Sequence, residues 1–114
     1  MDKLVDKIAA LGVPGLVLLV AIAVTGWAGA AAITAALAVL GEPFGMLGGI
    51  AVLGLLALMS QGLAEYGFEA VFNSTVDQLR TRGKSKSDIE REIKSYPISS
   101  DLKLKIKDYL RRLA

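Results

Sequence analysis

The chain has no histidine and no cysteine among its 114 residues. Those two absences remove the commonest general base, the commonest thiol nucleophile and the usual transition-metal ligands together, so no enzyme, resident metal or cofactor is expected. Without cysteine there is also no disulfide to report on redox compartment. Basic residues are missing over a longer stretch: the 72 residues from Ile8 to Leu79 hold no Lys or Arg, and eleven of the chain's thirteen basic residues follow it. Acidic residues are nearly as scarce. Ile8 to Gly41 and Pro43 to Ala64 carry no charge of either sign, with Glu42 alone between them. Such segments offer no proton relay, counter-ion or ionisable membrane-depth site.

What fills the gap is apolar. The chain is 54% hydrophobic with a mean hydropathy of +0.52, above the roughly 45–50% apolar content of a soluble domain. Charge-free runs of this length are what a bilayer selects. The sequence therefore predicts an all-α membrane protein: a transmembrane helical hairpin with an amphipathic extension and a small C-terminal helical hairpin. Lys3 and Lys7 precede the first run as they would in a signal peptide. That run far exceeds a signal core of about 7–15 residues, however, Asp2 and Asp6 offset the lysines, and Ala28 to Ala32 is a poor cleavage region, so the segment is expected to be retained.

Three pieces follow along the chain. Residues 1–13 read as an interfacial helix with Leu4, Val5, Ile8 and Leu11 on one face and Asp2, Lys3, Asp6 and Lys7 on the other, broken by Gly12 and Pro14. Residues 14–79 read as the hairpin and its extension. Pro14 to Val39 would run about 39 Å and Phe44 to Ala64 about 31 Å, at 1.5 Å per residue, joined by the turn Gly41-Glu42-Pro43-Phe44-Gly45. The first of these exceeds a core of about 30 Å, so it must tilt or kink. Gly26-Trp27-Ala28-Gly29 is the candidate kink; a full break there would leave a re-entrant segment or a compact bundle of short apolar helices. The helical pattern then continues from Ala64 to Leu79, with Glu65, Glu69, Asn73 and Asp77 on one face and Phe68, Val71, Phe72, Val76 and Leu79 on another.

Residues 80–114 read as a basic helical hairpin. Ser87 with Glu90 three residues on suggests a capping box for a helix presenting Ile89, Ile93 and Tyr96, ended by Pro97. Ser99 or Ser100 would cap a second helix striped with Leu102, Ile106, Tyr109, Leu110 and Leu113.

Three groups of residues are candidates for function. Small residues crowd the membrane segment, and Gly26, Gly29, Gly41, Gly45 and Gly49 are placed to let backbones approach closely, either between copies in a homo-oligomer or within one hairpin. Glu65 and Glu69 form a polar lining where the helix leaves the membrane, or simply a solvated face. Arg80, Arg82, Lys84 and Lys86 form a basic cluster that reads as a topology signal, placing both termini in the cytoplasm and the turn outside the cell membrane, and as a seat for anionic lipid headgroups. Nucleic acid is not expected as a partner, because the aromatic interleaving that stacks bases is missing and the net charge is only +2.

The core GWAGAAAITAALAVLGEPFGMLGGIAVLGLLALMSQGLAEYGFEAVF resembles the glycine- and alanine-rich, membrane-active helical domains of small bacterial toxins and cell-death effectors. Its order of Gly-Trp, apolar helix, Gly-rich turn, apolar helix and basic amphipathic tail is also similar to circular bacteriocins, which permeabilise membranes as compact helical bundles. The resemblance covers 47 residues and implies membrane activity, with no residue role carried across. The leading expectation is an oligomeric membrane-permeabilising or pore-forming protein, an effector of bacterial conflict or defence, with the lipid bilayer and further copies of itself as partners. One alternative is a non-conducting anchor whose residues 84–114 scaffold a protein partner. Another is a compact helical domain that stays soluble until triggered.

Overall fold

A computed structural model describes residues 1–25, 48–96, 98 and 100–113, with side chains described in those ranges except at 25 and 48–56. Among them the chain is all-helical: α1 (Asp2–Ala10), α2 (Val13–Thr25), α3 (Gly48–Tyr66), α4 (Phe68–Thr81), α5 (Lys86–Lys94) and α6 (Ser100–Arg112). No single helix among the described residues is long and apolar enough to cross a membrane.

The chain turns sharply between α1 and α2, which are bent by 119° to each other. Gly12 makes the turn in the left-handed region at φ +75°, a conformation glycine adopts without the Cβ penalty of other residues. Pro14 sits in the first turn of α2, where its missing N–H has no intrahelical partner to lose. A second turn of this kind falls at Gly67, φ +85°. It divides the single amphipathic helix expected from Ala64 to Leu79 into the end of α3 and the start of α4. The four-residue recurrence of Glu65, Glu69, Asn73 and Asp77 runs across that break and conceals it.

Helix α2 lies at the centre. Leu16, Val17, Leu18, Leu19, Val20 and Ala21 are fully buried and Ile22 is 4% exposed. Seven consecutive buried residues span every direction around a helix, so this stretch of α2, Leu16 to Ile22, is enclosed on all sides. A helix apolar all round satisfies its surface only inside a protein core or a membrane, and here the enclosure is made by protein. The neighbours of α2 are α1, α3, α4, α5 and α6. Four of them are amphipathic and turn their apolar stripes inward: Leu4, Val5 and Ile8 from α1, Val71, Phe72, Val76 and Leu79 from α4, Ile89 and Ile93 from α5, and Leu102, Ile106 and Leu110 from α6. Thr75 is the buried polar side chain of α4 among the described residues, and its hydroxyl donates to the Val71 carbonyl at 2.7 Å.

The C-terminal hairpin is fastened at both ends. The capping box lies two residues earlier than expected, on Ser85 rather than Ser87. The Asp88 amide donates to Ser85 Oγ at 3.1 Å, and the Ser85 amide donates back to Asp88 Oδ2 at 3.1 Å. Both Ser85/Asp88 and Ser87/Glu90 fit the local template; the helix starts at Lys86, which makes Ser85 its cap. Lys86 Nζ donates to the Leu113 carbonyl, and Lys103 Nζ donates to the Lys94 carbonyl at 2.9 Å. The start of α5 is thus tied to the end of α6, and the end of α5 to the start of α6, in an antiparallel pair.

Candidate functional site

The feature with functional content is the enclosed apolar helix α2 and the surface that covers it. Two close approaches seat α1 over the apolar helices. A Cβ on Gly15 would overlap the carbonyl oxygen of Ile8, so α1 crosses α2 backbone to backbone. A Cβ on Gly62 would overlap the Leu4 side chain, so α1 also crosses α3 closely. Small residues permit such approaches by having no side chain to interpose. Neither glycine stands out in the sequence, where the denser run from Gly26 to Gly49 draws attention instead.

Of the glycines expected to drive assembly, Gly26, Gly29, Gly41 and Gly45 lie outside the described residues. Gly49 falls in the first turn of α3. The expected kink at Gly26 to Gly29, the turn with Glu42 and one of the two caps expected for the last helix, Ser99, lie outside them as well; the other, Ser100, is the first residue of α6 and not its cap.

Glu65 and Glu69 are both exposed and stand on opposite sides of the Gly67 break, on α3 and α4. The charge of Glu65 raises the neighbouring Tyr66 phenol above its ordinary pKa. Glu69 borders a cleft of about 160 Å³ with Phe68, Phe72, Asn73, Tyr109, Arg112 and Leu113. Its floor is an aromatic trio joining α4 to α6: the Phe68 and Tyr109 rings are 4.7 Å apart and Phe72 and Tyr109 5.7 Å apart, tilted as the ring quadrupoles prefer.

The basic cluster is divided in its roles. Arg80 and Arg82 are exposed at the end of α4 and in the turn after it. Lys84 is committed to Glu92 at 2.9 Å, and Lys86 to the Leu113 carbonyl. Glu92 receives a second hydrogen bond from the Tyr96 hydroxyl. Partial burial pushes the Glu92 carboxyl up, but the bonds from Tyr96 and Lys84 and the Lys84 charge outweigh it, and the net shift is downward. Lys84 is held above its ordinary value by the hydrogen bond and charge of Glu92. Burial and the Glu92 contact raise the Tyr96 phenol. This three-residue clasp is structural: it holds α5 against the turn that precedes it.

Among the described residues no group of three or more Asp or Glu side chains is placed to hold a metal ion. No protein family, curated protein or solved structure matches the chain.

Proposed function

We propose that the protein is an oligomeric membrane-permeabilising protein that carries part of its inserting segment as the shielded core of a helical bundle. The observation that supports this most directly is the burial of Leu16 to Ile22 of α2 in a bundle where four of its five neighbouring helices are amphipathic. Burial of Val13, Leu16, Val17, Leu18, Leu19, Val20 and Ile22 contributes about 10–20 kcal/mol, at about 1.5–3 kcal/mol per side chain. Acyl chains are as apolar as leucine side chains, so most of that gain is kept when lipid replaces protein around α2. The choice between the two environments then turns on differences of a few kcal/mol, within the about 5–15 kcal/mol that holds a domain folded. The cover helices have a place in the second state too, lying at the interface with their apolar faces toward the acyl chains.

In the inserted form Pro14 to Val39 and Phe44 to Ala64 make the hairpin in the cell membrane. The turn with Glu42 crosses to the outer side, and Lys3, Lys7, Arg80 and Arg82 stay in the cytoplasm, following the preference of basic residues for that side. Without charge in either span, ions pass only through a lumen shared among copies, which associate through Gly26, Gly29, Gly41, Gly45 and Gly49. A role as an effector of bacterial conflict or defence rests on the resemblance of the glycine- and alanine-rich core to membrane-active toxin domains.

Dye-loaded liposomes test the reading. Release should rise steeply with protein-to-lipid ratio, and Gly45→Leu or Gly49→Leu should abolish release while leaving insertion intact. Liposomes that stay tight at every ratio would overturn permeabilisation, leaving a non-conducting anchor whose residues 84–114 scaffold a partner.

A further inference from the structure

We propose that the outward face of α6 docks on the surface of a bilayer containing anionic phospholipid, with Leu104 as its apolar anchor. Leu102, Ile106 and Leu110 form the buried stripe of α6. At about 100° per residue, the position opposite that stripe is Leu104. It is 63% exposed, the most exposed large hydrophobic side chain among the described residues. Amphipathic patterning would put a polar residue at the centre of a solvent face; here that centre is an exposed leucine.

The surroundings of Leu104 carry an excess of basic charge, concentrated on one flank. Arg111 and Lys107 fall beside it there, with Lys103 beyond them, whereas on the other flank Asp108 and Asp101 lie nearer to it than Arg112 and Lys105. Against these five basic residues α6 carries two acidic ones, Asp101 and Asp108, and Asp108 is paired with Arg112 at 2.8 Å. Lys105, Lys107 and Arg111 have no ion-pair partner among the described residues. An exposed leucine with long basic side chains along one flank suits a lipid interface. The leucine enters the acyl boundary, the methylene stems lie beside it, and the charged heads reach the phosphates. The cluster of Arg80, Arg82, Lys84 and Lys86 is less suited, because residues 80–86 include no large apolar side chain to serve as an anchor.

Docking through this face also has a geometric consequence. Helix α6 packs on α2, so the axis of α2 would lie one interhelical spacing, about 8–10 Å, behind the axis of the docked helix. This inference rests on the proposed membrane activity and identifies its first step, yet binding and permeabilisation are measured separately.

Flotation of the full chain with vesicles of phosphatidylcholine, with and without phosphatidylglycerol, tests it. The chain should float with the anionic vesicles and less as salt is raised, since exposed charges are screened. Lys105→Gln with Arg111→Gln should weaken binding about 25-fold, at about fivefold per basic residue. Leu104→Ala should weaken it about tenfold with little salt dependence, through lost apolar burial. All three side chains are exposed or at the helix surface, so unchanged thermal unfolding verifies that the variants fold. Equal flotation of wild type and both variants, equal binding to phosphatidylcholine alone, or binding to RNA in place of vesicles would overturn the inference. Dye release that persists beside unaltered variant binding would overturn the docking face and leave permeabilisation standing. Variants that neither float nor release dye at low protein, but release it at high protein, would support docking as a separate first step.

Discussion

Gly15 and the carbonyl of Ile8 meet so closely that no side-chain atom fits between them. The contact sets how deeply α1 lies across α2, and hence how completely the apolar helix is covered. Gly15→Ala must push α1 outward, because the obstructing atom is backbone. It is expected to destabilise the fold by about 1–2 kcal/mol, the overpacking penalty less the gain in helix propensity. Gly62→Ala should cost less, since its obstacle is the end of the flexible Leu4 side chain. Thermal unfolding of the two variants decides the order. If lifting α1 exposes α2, Gly15→Ala should also release dye at a lower protein-to-lipid ratio than wild type.

The cap of α5 gives a second comparison. Ser85→Ala removes the hydroxyl that accepts from the Asp88 amide and should cost about 1 kcal/mol, typical of a lost N-cap. Ser87→Ala, at the position the sequence pattern points to, should be close to neutral because Ser87 is an exposed residue inside the helix. Denaturant midpoints measured side by side check the register; equal losses would contradict it.

These two comparisons mark where the sequence is legible and where it is not. The apolar stripes of α1, α4, α5 and α6 can be read from spacing alone, because Leu4, Val5 and Ile8 or Leu102, Ile106 and Leu110 recur at the helical period. The Gly67 break and the cap at Ser85 cannot, because the four-residue recurrence runs across the break and Ser87 with Glu90 matches the capping-box pattern that Ser85 and Asp88 fill instead. Helix α2 is the deeper case. A segment apolar in every direction satisfies a lipid environment and a protein interior alike, and only the arrangement of the amphipathic helices around it selects one. Gly15 and Gly62 are invisible for a related reason: a close crossing belongs to two segments at once. On the surface, Leu104 passes in sequence for one more apolar residue of a striped helix, until the burial of its opposite face makes it an outlier.

Acid should weaken the C-terminal hairpin. The Glu92 carboxyl has a lowered pKa in the fold, so its contribution is fully present above the ordinary glutamate pKa and is lost as pH falls below that value through the folded one. Asp88, lowered by its hydrogen bonds from the Ser85 backbone and side chain, behaves likewise. Melting temperature should therefore fall on acidification below the ordinary carboxylate range. Glu92→Gln should lower stability at neutral pH and flatten that acid limb, leaving the part due to Asp88. An acid limb of unaltered slope in Glu92→Gln would remove Glu92 from the clasp.

The central claim is that α2 exchanges a protein core for acyl chains, and the chain's single tryptophan, Trp27, two residues beyond α2, reports on it without any substitution. Its fluorescence is followed as the protein is titrated with anionic vesicles containing lipids brominated either near the headgroup or deep in the acyl chain. The account predicts a blue shift on adding vesicles and quenching that is strongest with the deep bromines. Emission unchanged by every brominated lipid, or quenching confined to bromines near the headgroup, would contradict it and leave α2 inside the bundle.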